Sequence, residues 1–277
     1  MPDKNLEIDN SIFEKYLKIL NVPVVKPDID TLKQLINSHL TLIPFENISK
    51  IYYNKKFGLN YIPSFEQYIE GIEKYHFGGT CYSNNYYFYL LLDHLGYKIK
   101  LCGADMSKPD VHVVSVVTID DREYIVDVGY AAPFFEPMPQ DLTTESEIIF
   151  GDDKFLLLPK DVNGYSQIKH YRNSSLIHGY AVNPRARTIS EFESVIKYSY
   201  NEKSTFMNSV MLVKYGKNSS KVIHNFSSIE FQNNSYQKRK LQNKDELAME
   251  IENIFGIPEE VSQESLSFLS KYFDAWN

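Results

Sequence analysis

A chain of 277 residues, 43% hydrophobic and 23% charged, can bury a sizeable core, which excludes a disordered, tail-like protein. Its net charge of -7 and the lack of any concentrated basic face argue against nucleic acid as the partner, and the short run Lys238-Arg239-Lys240 reads as a solvated loop. No apolar run approaches the ~20 residues of a membrane span, and Met1-Pro2-Asp3-Lys4 opens without a signal-like stretch.

Two cysteines, Cys81 and Cys102, are too few for a disulfide framework and fit a reducing compartment. The expected protein is soluble and cytoplasmic, a monomer or weak homodimer. Seven scattered histidines without a paired ligand motif give no reason to expect a metal site. The 21 tyrosines and 17 phenylalanines fit a pocket for flat molecules and an ordinary core equally well.

Helical periodicity dominates residues 1–95. Ile12, Phe13, Tyr16, Leu17 and Leu20 repeat at helical spacing; Leu32, Leu35, Ile36 and Leu40 do so again after a start signal at Asp28 and Thr31, and Pro44 ends that run. Ser64 with Gln67 reads as a capping box opening a third helix to about Tyr75. In Phe77-Gly78-Gly79-Thr80-Cys81 the glycines read as a tight turn, Thr80 as a helix N-cap and Gly96 as the left-handed close, so Cys81 falls in a first helical turn.

From 98 to about 158 the pattern changes to alternation and β-branched runs. Residues 111–119 and 123–128 flank Asp120-Asp121 as a hairpin with a tight turn. Strand-like pieces continue through Arg187 and again over 209–231, while the Asn- and Ser-rich stretches at 217–220 and 233–235 read as loops. The tail returns to helix over 244–255, closed by Gly256, and over 262–273.

A cysteine in a first helical turn lies at the positive end of the helix dipole, which favours its nucleophilic thiolate. Alone, Cys81 reads as a small buried residue of a packed helix start. The hairpin changes that reading. A turn centred between Asp120 and Asp121 sets His112 opposite Gly129 and Asp127 opposite Val114. His112 and Asp127 are then diagonal neighbours on one face, with Cβ atoms about 7–8 Å apart. A carboxylate there fixes the imidazole tautomer and steadies the imidazolium, leaving the other ring nitrogen for the thiol proton. Singly, His112 fits a core histidine and Asp127 a strand-end residue; with Cys81 they form the general constellation of covalent catalysis.

Ile43-Pro44-Phe45-Glu46-Asn47, Gly78-Gly79-Thr80-Cys81 with Asn85, Val111-His112-Val113-Val114, Tyr124-Ile125-Val126-Asp127-Val128-Gly129, and Asn183-Pro184-Arg185 leading into Glu191-Phe192-Glu193 occur in the order of the arylamine N-acetyltransferases, which the chain resembles over most of its length. The resemblance implies an α+β, papain-like (cysteine proteinase-like) fold: a helical bundle at 1–95 carrying Cys81, a central β-barrel at 96–200 carrying His112 and Asp127, and an α/β lid at 201–277. It implies a ping-pong reaction in which Cys81 takes the acetyl group of acetyl-CoA and passes it to an aromatic amine or hydrazine, as in xenobiotic metabolism. His112 is then the base and Asp127 its orienter. No cofactor stays bound, and CoA contacts fall on Lys108 and Val111 before the histidine and on Tyr198 after the Phe-Glu segment.

The chain departs from the family at Phe77, where an arginine partner for Glu46 is usual, and at Thr80, Ser83, Ala131 and Ile196. A transglutaminase-like hydrolase, an ansamycin-type amide synthase and an inactive aromatic- or CoA-binding protein remain as alternatives. Cys102 reads as buried in a strand, and His170, His178 and His224 as core or surface residues. Tyr82, Tyr86, Tyr87, Phe88 and Tyr89 read mainly as core, with one or two available to an aromatic acceptor.

Overall fold

The amino-terminal helices begin where a short side chain can take up their free amides. The computed structural model describes residues 8–23 and 26–273; the opening Met1-Pro2-Asp3-Lys4 stretch lies outside them. Helix α1 (Asn10–Leu20) starts at Asp9, whose carboxylate accepts from Ser11 N, and closes at Asn21 in the left-handed region. In α2 (Ile29–Leu42) the Asp28 carboxylate accepts from Thr31 N at 2.8 Å, and Ile43-Pro44 leads into the two-residue strand β1 (Phe45–Glu46). Next comes α3 (Ile48–Phe57), which periodicity does not reveal: Ile48, Ser49, Lys50, Ile51 and Tyr52 are buried in succession, so no apolar stripe marks one face. The expected capping box of Ser64 and Gln67 opens α4 (Phe65–Tyr75), with both reciprocal bonds present.

Helix α5 (Cys81–His94) begins at Cys81 as expected. Thr80 is extended at the N-cap, but its hydroxyl makes no capping bond, so the first-turn amides are not taken up by that side chain. Gly96 follows at φ +88°, the left-handed close read from the sequence.

Strands β2 (Lys98–Asp105), β3 (His112–Ile119), β4 (Arg122–Val126), β5 (Met138–Pro139), β6 (Ser146–Phe150), β7 (Asp153–Leu158), β8 (Ser166–Arg172) and β9 (Ser175–Arg187) form one sheet in the order β5-β4-β3-β2-β9-β8-β7-β6. The outermost strands do not pair with each other, so the expected barrel is an open sheet. Its curl is set by packing: Val114, Val116 and Ile125 near one edge share an apolar cluster with Phe155, Leu157 and Ile168 near the other. The alternate residues Val113, Val117 and Val126 face outward onto the helices, packing against Leu91, Leu92 and Phe88 of α5. Asp120 and Asp121 both have positive φ, as a two-residue hairpin turn of the primed type requires, and the observed pairs Ser115 with Val126 and Val116 with Ile125 keep the expected register.

After α6 (Glu193–Tyr198), strands β10 (Met211–Gly216), β11 (Ser219–His224), β12 (Ser227–Gln232) and β13 (Ser235–Lys240) add to β1 as a five-stranded antiparallel sheet. Phe45 pairs with Val213, so a segment from the helical third is built into the carboxy-terminal sheet. Two expectations are corrected. Lys238-Arg239-Lys240 is not a loop but part of edge strand β13, exposed along its length, with Arg239 bonded to Glu246 and Glu250. Helix α7 (Lys244–Phe255) closes at Gly256 as read, but the last helix, α8, spans Glu259–Ser267: Pro258 sets its start, earlier than the apolar spacing suggests.

Candidate active site

Three elements converge on Cys81. The first is β1, whose Glu46 N donates to Gly79 O at 3.0 Å and whose buried Glu46 carboxyl accepts from Gly78 N at 3.1 Å and from Ser49. A Cβ at Gly78 would lie 1.9 Å from Pro44 O, so only glycine permits this approach. Among the described residues no cation pairs with Glu46 in place of the expected arginine: Phe77 is core, ringed by Tyr52, Tyr53 and Tyr75, and burial pushes the Glu46 pKa up against the lowering effect of Ser49 and Gly78.

The second element is the hairpin. His112 Nε2 and Asp127 Oδ2 are 2.8 Å apart, both residues being buried. The ring's other nitrogen, Nδ1, is not engaged by Asp127, and Cys81 is close enough to the imidazole to help raise its pKa. The Cys81 sulfur also lies 3.8 Å from Val111 O. Asp127 accepts from four donors in all: His112, Tyr180 Oη at 2.8 Å, Asn85 Nδ2 at 2.8 Å and Gly129 N at 3.0 Å. Burial works to raise its pKa, but the charge and hydrogen bond of His112, with Asn85 and Tyr180, hold it below the ordinary carboxylate range. Burial likewise opposes the His112 charge, yet Asp127 and Cys81 together raise that pKa well above the ordinary imidazole value.

The third is the turn after Asp127. A Cβ at Gly129 would meet Asn85 Nδ2 at 2.7 Å and Cys81 Cα at 2.8 Å, so this glycine lets the hairpin lie against the start of α5. Asn85 spans the same junction, accepting from Val128 N at 2.8 Å and donating to Val113 O at 2.7 Å. Its spacing of four from Cys81 puts both on one helix face, a signal legible in the sequence. Tyr180, on β9, carries no such signal.

Cys81 and His112 line a cleft of about 910 Å³, and Asp127 stands behind the imidazole. Lys108, Val111 and Tyr198 line the same cleft, with Lys108 Nζ 5.0 Å from the Tyr198 ring centre. Tyr130 and His178 form another part of its wall, joined by a hydrogen bond. Of the helix tyrosines, Tyr82 lines the cleft while Tyr87 and Tyr89 are core. Cys102 is buried, as is His170, which bonds Asp153 at 2.7 Å.

The site can take a proton from a thiol and hold the resulting charge while a ligand occupies the cleft. A family model described as N-acetyltransferase matches residues 28–263. The pineal gland isozyme of arylamine N-acetyltransferase from Gallus gallus is 29% identical over 139 residues, 47% of this chain and 43% of that protein. Proansamycin X synthase from Amycolatopsis mediterranei is 32% identical over 121 residues, 40% of this chain and 45% of that one. The chain therefore spans under half the length of these two relatives. The structure of Mycobacterium marinum arylamine N-acetyltransferase in complex with CoA superposes with a TM-score of 0.78 at 18% identity, over 94% of this chain and 100% of the other, which shows a shared fold. The family match over most of the sequence, together with that fold, shows that this chain belongs to the arylamine N-acetyltransferase family.

Proposed function

We propose that the chain moves an acetyl group from acetyl-CoA through a Cys81 thioester to an aromatic amine, hydrazine or hydroxylamine by a ping-pong mechanism. The observation that carries this reading is that Cys81 and His112 line one cleft while Asp127 is bonded to the imidazole from behind. His112 Nδ1 accepts the thiol proton and the sulfur attacks the thioester carbonyl. The C–S bond to CoA breaks, the imidazolium returns the proton to the departing thiolate, and Cys81 is left acetylated. An amine then attacks the new thioester, His112 takes the amine proton, and the Cys81 sulfur is released. Asp127 stays ionised throughout and fixes the ring through Nε2.

CoA would lie against Lys108, Val111 and Tyr198, where a cation and two apolar surfaces border the cleft. Tyr82, Tyr130 and Phe206 supply flat apolar walls suited to an aromatic acceptor. The reading includes a papain-like arrangement with parts at 1–95, 96–200 and 201–277, and a reducing, cytoplasmic setting suited to two unpaired cysteines. The similarity to Proansamycin X synthase supports a second reading, amide synthesis from another acyl chain through the same thioester.

The test is intact-mass analysis after mixing with acetyl-CoA. One acetyl group on Cys81, discharged by an aromatic amine, is the expected result. Absence of the adduct on Cys81, or a Cys81→Ser variant that keeps substantial activity, overturns the reading.

A further inference from the structure

Behind the first turn of α5 lies a charge that the relay does not use. Lys50, on α3, is only 8% exposed, and its ammonium donates to Ser199 Oγ at 2.7 Å while lying 4.2 Å from the ring centre of Tyr200. Among the described residues no carboxylate pairs with it within 4.0 Å. Glu46, one turn earlier, is turned to Ser49 and Gly78 instead. Lys50 borders a cavity of about 10 Å³, room for roughly one water, together with Gly79, Thr80 and Ser83, the residues around Cys81. Its hydrogen-bond partner Ser199 lines the cleft beside Cys81.

A buried ammonium without a counter-charge is costly, by several kcal/mol in an apolar site, so such groups are found where an anion forms nearby. We propose that Lys50 is a positioning residue whose ammonium balances the negative charge of the Cys81 sulfur.

The titration of Lys50 agrees: burial lowers its pKa to about 8, and Cys81 is the one charged group that works the other way. The sulfur shares the cleft with His112 from β3 and Tyr82 from its own helix, and Lys50 of α3 lies behind the Gly79–Ser83 turn; Lys108, Tyr130, Tyr198 and Lys203 border the cleft. Lys50 itself is faced by Tyr200, with Tyr53 and Tyr68 across the small cavity. Lys50 is thus a buried cation behind the Gly79–Ser83 turn that no acidic side chain among the described residues neutralises. This inference rests on the proposed role of Cys81 as nucleophile and adds a second group that keeps it anionic.

The experiment is alkylation of Cys81 by iodoacetamide from about pH 5 to about pH 9, read by peptide mass, in the parent protein, Lys50→Gln, Lys50→Met and Lys50→Arg. Lys50→Gln keeps a donor for Ser199 and removes only the charge. Both neutral variants are expected to move the alkylation midpoint up by about one pH unit, roughly a tenfold slower reaction on the acid side, while Lys50→Arg restores the parent profile. A packing role alone would change the melting temperature and leave the profile in place. Folded Lys50→Gln protein that alkylates along the parent curve overturns the inference. Acetylation by acetyl-CoA is scored separately: a parent protein that takes no acetyl group sinks the proposed function, whereas the alkylation contrast still decides the part played by Lys50.

Discussion

Two buried carboxyl groups stand on either side of the loop that ends in Cys81, and the protein treats their charges in opposite ways. Asp127 is 2% exposed and Glu46 is 0% exposed, so desolvation presses both toward the neutral acid. Asp127 meets an imidazole that becomes a cation, plus an amide, a phenol and a backbone N–H, and its pKa falls. Among the described residues Glu46 meets neutral donors alone, those of Ser49, Gly78 and Ile48, and its pKa rises. At Glu46 the neutral hydrogen bonds offset only part of the cost of burial, whereas at Asp127 the facing imidazole adds enough to reverse it. The half of the site built by β3 and β4 is therefore electrostatic, whereas the half built by β1 is scaffolding that holds the Gly78-Gly79 turn.

That contrast can be broken at its charged end first. Asp127→Asn keeps the shape and removes the charge, and turnover is expected to fall by about 10³–10⁴ with the fold retained by circular dichroism. A loss under about tenfold would mean that Asp127 acts only as a spacer. Next in size is His39, a third buried titratable group, which bonds Tyr16 Oη through Nδ1 at 2.9 Å and leaves Nε2 unpartnered. Burial lowers its pKa from 6.5 to about 3. The unfolded chain therefore takes up the proton first as pH falls. Stability from this group is complete above about 6.5 and is lost between there and about 3, at roughly 1.4 kcal/mol per unit. Denaturant titrations across that window should show the slope in the parent protein and a weaker one in His39→Gln; equal slopes would contradict it.

Smaller effects sharpen the geometry. Gly129→Ala pushes a methyl against Cys81 Cα and Asn85 Nδ2, and a cost of about 2–3 kcal/mol is expected, with a slower acetylation step from the displaced Asn85–Asp127 bond. Calorimetry and single-turnover rates check the two parts separately. Least affected should be Glu46→Gln, which replaces a carboxyl that makes no hydrogen bond to Cys81 or His112 and whose anion burial disfavours. A stability loss of about 1 kcal/mol and turnover within a few-fold of the parent are expected. A drop comparable to that of Asp127→Asn would show that the Glu46 carboxyl bears directly on turnover.

Much of this was written locally in the sequence. The capping residues Asp28, Ser64 and Gln67, the closing glycines Gly96 and Gly256, and the Asp120-Asp121 turn each act within a few residues, so one-dimensional reading suffices to find them. The turn sets the register, and the register brings His112 to Asp127. Only the tertiary structure decided the rest. Helix α3 is buried at each of its first five residues and leaves no periodic trace. The sheet stays open because its edge strands never meet, and β1 joins a sheet whose other strands begin 165 residues later, from Glu46 to Met211. Tyr180 reaches Asp127 across 53 residues and Lys50 reaches Ser199 across 149, distances over which no pattern of side chains reports contact. Local backbone chemistry starts and ends the elements of this protein, while the charges around Cys81 are settled by which distant groups packing forces out of water beside it.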